Sequence, residues 1–193
     1  MNIETEKARK PRADSLRNRE QLLEAAKSAF NSVGADVPLE EIARRAGLGI
    51  GTLYRHFPTR DALMAAVYRR EVEQLSASAE ALLAAKPPAE ALKAWLHVLV
   101  DYMATKRVIA PALQASPGEG SAAYASAGPA IAEAMNRLAA AAVRSGDIRA
   151  DIGPGDLYRM LIGVSHGYDQ PDWEPSARRL IDVLIAGLKP PAG

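Results

Sequence analysis

The chain has 193 residues, of which 48% are hydrophobic and 24% are charged, with a net charge of +1 and no cysteine. This length allows one or two small domains, and the composition is that of a globular protein. The absence of cysteine excludes a disulfide framework and thiolate metal sites, and no apolar run is long enough to span a membrane. The opening residues MNIETEKARKPRADS lack the apolar core of a signal peptide, so we expect a cytoplasmic protein.

Charge is distributed unevenly along the chain. Residues 1–70 carry 13 basic and 9 acidic side chains, whereas residues 71–193 carry 11 basic and 14 acidic side chains. A basic first third fits a protein that presents one end to nucleic acid, although such asymmetry also arises by chance.

The first predicted segment, residues 1–13, is polar and without periodicity, which predicts a flexible basic arm. Its cations suit either a DNA backbone or minor groove, or solvent alone, and both interpretations stay open. These cations are Lys7, Arg9, Lys10 and Arg12. A first helix follows, capped by Asp14 or Ser15 and ended by Gly34. Its apolar stripe has helical spacing and consists of Leu23, Ala26, Phe30 and Val33.

Residues 39–63, LEEIARRAGLGIGTLYRHFPTRDAL, predict two short helices joined at a fixed angle. The first helix has one apolar face, formed by Leu39, Ile42, Ala43 and Ala46. Residues 47–49, with two glycines, form a tight turn. The second helix places Leu53 and Phe57, four residues apart, on its buried side, and Pro58 ends it. This arrangement is a helix-turn-helix.

The other side of the second helix carries groups that reach DNA bases and phosphates. Tyr54 lies about 100° around the helix from Leu53, so we expect it to point outward rather than into the core. A plain surface histidine is the competing interpretation for His56.

The pattern AxxAGLGxGTLYRHFPTRDAL resembles the helix-turn-helix signature of the TetR/AcrR one-component transcriptional regulators, most closely over Gln21 to Val67. The resemblance implies an all-α protein with an N-terminal three-helix DNA-binding domain and a C-terminal helical domain for ligand binding and dimerisation. Two positions depart from the family pattern. Val37-Pro38 stands where members often have a capping Thr or Ser, and Ile50 stands where a polar residue is frequent.

The DNA-binding residues follow from the motif and from this resemblance. Gly51 lets the helix approach DNA closely, His56 matches a phosphate-contacting position, and Arg60 is placed to clamp a phosphate. A solvated surface charge is the competing interpretation for Arg44 and for Arg60. The expected DNA-binding residues are Arg44, Ile50, Gly51, Thr52, Tyr54, Arg55, His56 and Arg60.

Beyond the motif, the periodicity predicts helices alone. Thr59 caps a long fourth helix that reaches about Leu83, and Pro87-Pro88 is the first firm break. After the fifth helix we expect a short apolar segment, Val108–Leu113, and then a loop or mobile lid over Ser116–Gly128. Three further helices carry stripes at Ile131–Ala142, Leu157–Tyr168 and Ala177–Leu188. The total is about nine helices, with the DNA-binding domain over 14–60 and the regulatory and dimerisation domain over 61–193.

Two sets of residues in the second domain are candidates for binding. Aromatic and polarisable side chains suit a ligand pocket, although simple core packing is the alternative for each apolar one. The pocket candidates are Trp95, Tyr102, Met103, Tyr124, His166 and Tyr168. The resemblance implies that the last two helices pair across a dimer. Their apolar stripes give the candidate interface residues Leu157, Leu161, Val164, Ile181, Leu184 and Leu188, with the subunit's own core as the rival for Leu184.

No catalytic site is expected. Ser165 and His166 are adjacent helical residues and point about 100° apart, so they cannot form a nucleophile–base pair on one helix. The three histidines lack the spacing of metal ligands, and there is no Walker loop or dinucleotide fingerprint. We therefore expect no enzyme, metal or cofactor.

The helix-turn-helix and its resemblance to the TetR/AcrR regulators imply a ligand-responsive transcriptional repressor. It would bind double-stranded DNA at a palindromic operator as a homodimer and be released by a small-molecule inducer. The alternative is a helical small-molecule sensor or binding module without specific operator repression. An all-α enzyme is a distant third. The intact TLYRHF motif argues against the sensor, and the missing catalytic constellation argues against the enzyme.

Overall fold

The computed structural model describes residues 4–115, 119–165, 170 and 172–190, and over these residues it contains helices and no strand. The predicted all-α class is therefore confirmed. Eight helices follow in order: α1 (Glu4–Val33), α2 (Leu39–Arg45), α3 (Ile50–His56), α4 (Arg60–Ala85), α5 (Pro88–Ala115), α6 (Glu119–Arg144), α7 (Pro154–Ser165) and α8 (Trp173–Gly187).

The described part of the chain has eight helices rather than nine because α5 is continuous through Val108–Leu113. Pro111 lies inside this helix with its ring exposed, so the helix loses one backbone hydrogen bond without ending. The predicted loop over Ser116–Gly128 is also wrong from Glu119 onward, where α6 begins. Gly120 is buried there, and a Cβ on it would lie 2.9 Å from Leu113 Cδ2. The small residues therefore permit close packing of two helices.

Helix α1 begins at Glu4, so residues 4–13, predicted to lack regular structure, are helical. The predicted caps at Asp14 or Ser15 are wrong because both residues lie inside the helix. The predicted cap of the fourth helix is confirmed, since the Ala62 N–H donates to Thr59 Oγ1 at 3.1 Å.

The chain forms two compact units, and the first contains the residues up to Tyr68 together with Val108–Tyr124. In it, α1 packs against α2 and α2 against α3. Tyr68 is buried and stacks on Tyr124, with ring centroids 5.8 Å apart. The core beneath the helix-turn-helix consists of buried apolar side chains from these three helices, from Phe57 just after α3 and from the start of α4. They are Leu22, Leu23, Ala26, Phe30, Ile42, Leu53, Phe57 and Leu63.

The second unit contains Arg69–Arg107 and the residues from Ala125 onward. Trp95 is completely buried, and its indole N–H donates to the Leu75 carbonyl at 2.9 Å, which satisfies its polar atom. Asp182 on α8 lies 3.0 Å from Lys93 Nζ and 3.1 Å from His97 Nε2 on α5. The Lys93 ammonium, with a smaller contribution from His97, holds the pKa of Asp182 below its usual value.

The turn of the helix-turn-helix depends on a glycine conformation. Gly47 has a φ of +69°. Its N–H donates to the Arg44 carbonyl at 3.1 Å, while the Leu48 N–H donates to the Ala43 carbonyl at 2.9 Å. These two bonds form the motif that ends many helices with a left-handed residue, and they set the direction in which α3 leaves α2.

Replacement of Gly47 with Ala is expected to lower the free energy of unfolding by about 1 to 2 kcal/mol, because a side chain disfavours the left-handed backbone. Urea denaturation followed by circular dichroism measures the change. Gly51→Ala is the matched control, because Gly51 lies inside α3 and a Cβ there meets no atom of the chain within 4 Å. Equal loss of stability in the two variants would contradict this role of Gly47.

Candidate nucleic-acid interface

Helix α3 is held against the first unit by two apolar side chains. Leu53 has no exposed surface, and Phe57, which follows the last turn, is also buried. Gly49 caps the start of the helix, and its carbonyl accepts the Thr52 N–H at 2.9 Å, while the Phe57 N–H closes the last turn on the Leu53 carbonyl at 2.8 Å. The predicted inward residues are therefore confirmed.

The opposite side of α3 is open to solvent, as helical geometry predicts. Tyr54 is 47% exposed and Arg55 is exposed, whereas Ile50, Thr52 and His56 are half-buried. The Arg55 side chain lies along the helix, since its Nε donates to the Gly51 carbonyl at 3.1 Å and its Nη2 to Thr52 Oγ1 at 3.2 Å. A phenol, a hydroxyl, a guanidinium and an imidazole thus share one accessible surface, which is chemistry suited to base edges and phosphates.

Packing among the residues that the structure describes does not require a glycine at position 51. Gly51 is exposed, and a Cβ at this position would meet nothing within 4 Å. A glycine inside a helix costs about 0.5 to 1 kcal/mol relative to alanine. The internal contacts of the first unit do not explain that cost, whereas the close approach of a partner to the helix would.

Helix α2 carries a compact charge cluster. Glu41 accepts hydrogen bonds at 2.8 Å from both Arg44 and Arg45, and Arg45 also donates to Ser32 Oγ on α1 at 3.0 Å. The Arg44 guanidinium, followed by that of Arg45, lowers the pKa of Glu41 to about 2. The stabilising contribution of Glu41 is therefore complete above its ordinary pKa and is lost as the pH falls toward 2. The Arg44 side chain is 73% exposed and stays available to a partner.

Arg60 does not extend into solvent as a phosphate clamp would. Its Nη1 donates to the Ala35 carbonyl at 2.9 Å and to the Val37 carbonyl at 2.7 Å, and the residue is half-buried. The structure therefore gives this guanidinium an internal role that the sequence did not predict. Only the fold brings its acceptors near, because they lie more than twenty residues earlier in the chain.

The pocket candidates fall in different parts of the molecule. Trp95 and Tyr102 are buried and Met103 is half-buried, all on α5 within the second unit. Tyr124 belongs to the first unit, where it stacks on Tyr68. His166 and Tyr168 lie outside the described residues. The hydrogen bond from Trp95 to Leu75 favours the core interpretation for that tryptophan.

Most of the predicted interface residues lie inside the single chain. Val164 is half-buried, and the other five, which are Leu157, Leu161, Ile181, Leu184 and Leu188, are buried within the single chain. They form the subunit's own core, because the strongest apolar stripe of a helix packs against its own neighbours. Among the side chains of α7 and α8 that the structure describes, the large apolar ones left exposed are Tyr158, Met160, Leu180 and Val183.

Over the described residues, no group of three or more His, Cys, Asp or Glu side chains is arranged to hold a metal ion. Within the same part of the chain, none of the helices combines the length and the apolar character needed to cross a membrane.

Two family models match the chain in succession. Residues 22–67 match the model described as "Bacterial regulatory proteins, tetR family". Residues 87–190, more than half of the chain, match the model described as "Transcriptional regulator SbtR-like, C-terminal domain".

Solved structures and curated relatives agree with these models. The TetR transcriptional regulator SCO0520 from Streptomyces coelicolor is 44% identical, with 90% of this chain and 99% of that chain covered and a TM-score of 0.81. A TetR transcription regulatory protein from Mycobacterium vanbaalenii is 36% identical, with 93% and 99% covered and a TM-score of 0.77. An HTH-type transcriptional regulator from Staphylococcus aureus is 36% identical over 62 residues, which cover 32% of this chain and 34% of the relative. The chain thus matches about a third of that relative's length.

The neighbours Leu53 and Tyr54 provide a test of the two sides of α3. Leu53→Ala should lower the free energy of unfolding by about 2 to 5 kcal/mol, because it opens a cavity in a core. Tyr54→Ala should leave stability almost unchanged while weakening DNA binding. Urea denaturation and gel shift measure the two effects. A large loss of stability in Tyr54→Ala would show that the phenol ring is packed.

Proposed function

The chain belongs to the TetR family of transcriptional regulators, and on this premise we propose that it is a ligand-responsive repressor. It binds a palindromic operator in double-stranded DNA as a homodimer, in the cytoplasm, and a small-molecule inducer releases it. The observation that carries the proposal is the solvent-facing side of α3, where Tyr54 and Arg55 are exposed while Leu53 anchors the helix.

The proposed DNA contacts divide by chemistry. Thr52, Tyr54 and Arg55 offer hydrogen-bonding groups for base edges or phosphates, and His56 offers one for a phosphate. Ile50, at the first position of α3, suits an apolar contact such as a thymine methyl group. The bare backbone at Gly51 lets the start of α3 approach the DNA, and the exposed Arg44 adds a cation from α2.

A dimer is proposed because one seven-residue recognition helix reads only a few base pairs. Two copies on a two-fold axis double the site, and the half-sites then repeat inversely at about one helical turn or a multiple of it. The exposed apolar side chains of α7 and α8 support a dimer interface on these two helices. Leu180 and Val183 are three residues apart and lie on one face of α8, and Tyr158 is exposed on α7, which packs against α8.

The inducer is proposed to bind the C-terminal helical unit and to act by a shift of population. A ligand that binds a DNA-incompetent arrangement more tightly than the DNA-competent one shifts the population toward it, so occupancy of the operator falls. The size of the shift is limited by the ligand's difference in affinity for the two arrangements. Tyr102 and Met103 stay candidates for contacts with the ligand. Scanning calorimetry against a library of small molecules identifies binders, since a ligand of the native state raises the melting temperature.

The experiment that tests the core of the proposal is selection from a pool of random DNA duplexes, followed by gel shift. We expect an enriched sequence with two inverted half-sites. A pool that stays random after repeated selection would instead support a helical sensor without operator repression.

DNA binding should weaken steeply with salt. Each phosphate neutralised by a side chain releases counterion, so the logarithm of affinity falls with the logarithm of salt with a slope of about 0.9 per contact. Filter binding between about 50 and 200 mM salt measures the slope. Affinity that stayed constant over this range would contradict a phosphate-contacting surface.

The dimer surface is tested at two adjacent residues of α8. Val183 is 69% exposed in the single chain and Leu184 is 8% exposed. Val183→Asp should give a folded monomer with much weaker operator binding, because the two-fold axis brings two like charges together. Leu184→Asp should unfold the subunit, because it buries a charge in the core. Sedimentation with circular dichroism separates the outcomes, and a Val183→Asp dimer that still binds DNA would exclude this face.

A further inference from the structure

Arg60 joins the two ends of the helix-turn-helix. It is the first residue of α4, and only three residues separate it from the end of α3. The carbonyls it binds, those of Ala35 and Val37, lie in the loop that precedes α2. Both bonds come from Nη1, at 2.9 and 2.7 Å. One charged nitrogen therefore connects the entry of the motif to its exit.

The loop that receives these bonds is anchored by the buried side chain of Val37 and by the Gly34 N–H, which donates to the Phe30 carbonyl at 2.9 Å, but its other hydrogen bonds are weak. Gly34 has a φ of +115°, and the Val37 N–H reaches the Gly34 carbonyl only at 3.3 Å. Helix α2 has Pro38 at its cap, and no side chain forms a capping hydrogen bond there. A charge-assisted bond is stronger than a neutral one, so the Arg60 guanidinium is a major constraint on this loop.

We propose that Arg60 is a positioning residue for α3, which fixes the orientation of the recognition helix through the loop before α2 and does not itself contact phosphate. The inference rests on the proposed DNA-binding function. Both N–H groups of Nη1 are used by the loop, and a swing of the guanidinium toward DNA would leave the carbonyls of half-buried Ala35 and buried Val37 without this donor.

The two roles predict different effects on DNA binding. Loss of a phosphate contact weakens binding to every sequence and lowers the salt slope. Loss of a positioning residue misplaces the side chains that read bases, so it lowers the preference for the right sequence. It leaves the number of phosphate contacts, and hence the salt slope, unchanged.

The experiment compares Arg60→Gln with the wild type on two duplexes of equal length, one selected by the wild type from a random pool and one of random sequence. We expect the preference for the selected duplex to fall by about tenfold, roughly the discrimination that one good base contact gives. The salt slope should equal that of the wild type. Backbone amides of residues 35–42, apart from Pro38, which has no N–H, should exchange hydrogen faster, while the second unit keeps its protection.

Two variants complete the design. Arg44→Gln is the matched control, because its guanidinium is exposed and pairs only with Glu41 among the side-chain contacts described for it. It should lower the salt slope without changing exchange in residues 35–42. Arg60→Lys keeps a charge and donors at the same position, and should recover part of both the sequence preference and the amide protection.

Three results would overturn the inference. A lower salt slope in Arg60→Gln, with equal losses on both duplexes, would make Arg60 a phosphate contact. A general rise in exchange over the first unit would make it a stability residue only. Unchanged exchange at residues 35–42 would show that the loop does not depend on it. If the wild type selects no sequence, the proposed function fails, and the exchange measurement still tests the contact.

Discussion

The recognition helix is too short to exist without support, and this constraint governs the whole first unit. Isolated helices below about 12 to 15 residues are marginal in water, and α3 has seven. Its conformation therefore comes from the packing of Leu53 and Phe57 on the surrounding helices, with the left-handed Gly47 setting its direction. Helix α1 and the parts of α4, α5 and α6 that belong to the first unit supply it with core surface that a seven-residue helix lacks.

Some cations in and around the motif make contacts within the chain, whereas others are exposed to solvent. Arg60 turns inward onto two carbonyls, and Arg45 ties α2 to Ser32 of α1. Arg19 on α1 lies over the Phe57 ring at 5.0 Å from its centroid, which adds a cation–π contact at the end of α3. Arg44 is left exposed. Some of the basic side chains of the motif therefore make contacts within the chain. The net charge of the first unit overstates the number of cations available to DNA.

The sequence predicted those features that depend on local spacing. Helical geometry predicted that Leu53 and Phe57 point inward and that Tyr54 points outward, and a capping residue was predicted at Thr59. The structure agrees on all of these. The sequence-based predictions differ from the structure where contacts between distant parts of the chain determine conformation or burial. Gly120 and its small neighbours suggested a loop, yet close packing against Leu113 makes them helical. Leu184 suggested an interface, but the stronger apolar stripe of a helix serves its own core, and the weaker stripe at Leu180 and Val183 gave no clear signal.

The two tryptophans make intrinsic fluorescence a probe of one unit of the molecule. The chain has only Trp95 and Trp173, and both belong to the second unit, with their indole N–H groups bonded to the carbonyls of Leu75 and Val164. The DNA-binding unit contains tyrosine as its only ring that absorbs strongly near 280 nm. Fluorescence excited at the red edge of tryptophan absorption therefore comes from the second unit alone. A shift in tryptophan emission on adding a small molecule therefore indicates a change in the second unit. Unfolding of the DNA-binding unit by itself gives no tryptophan signal.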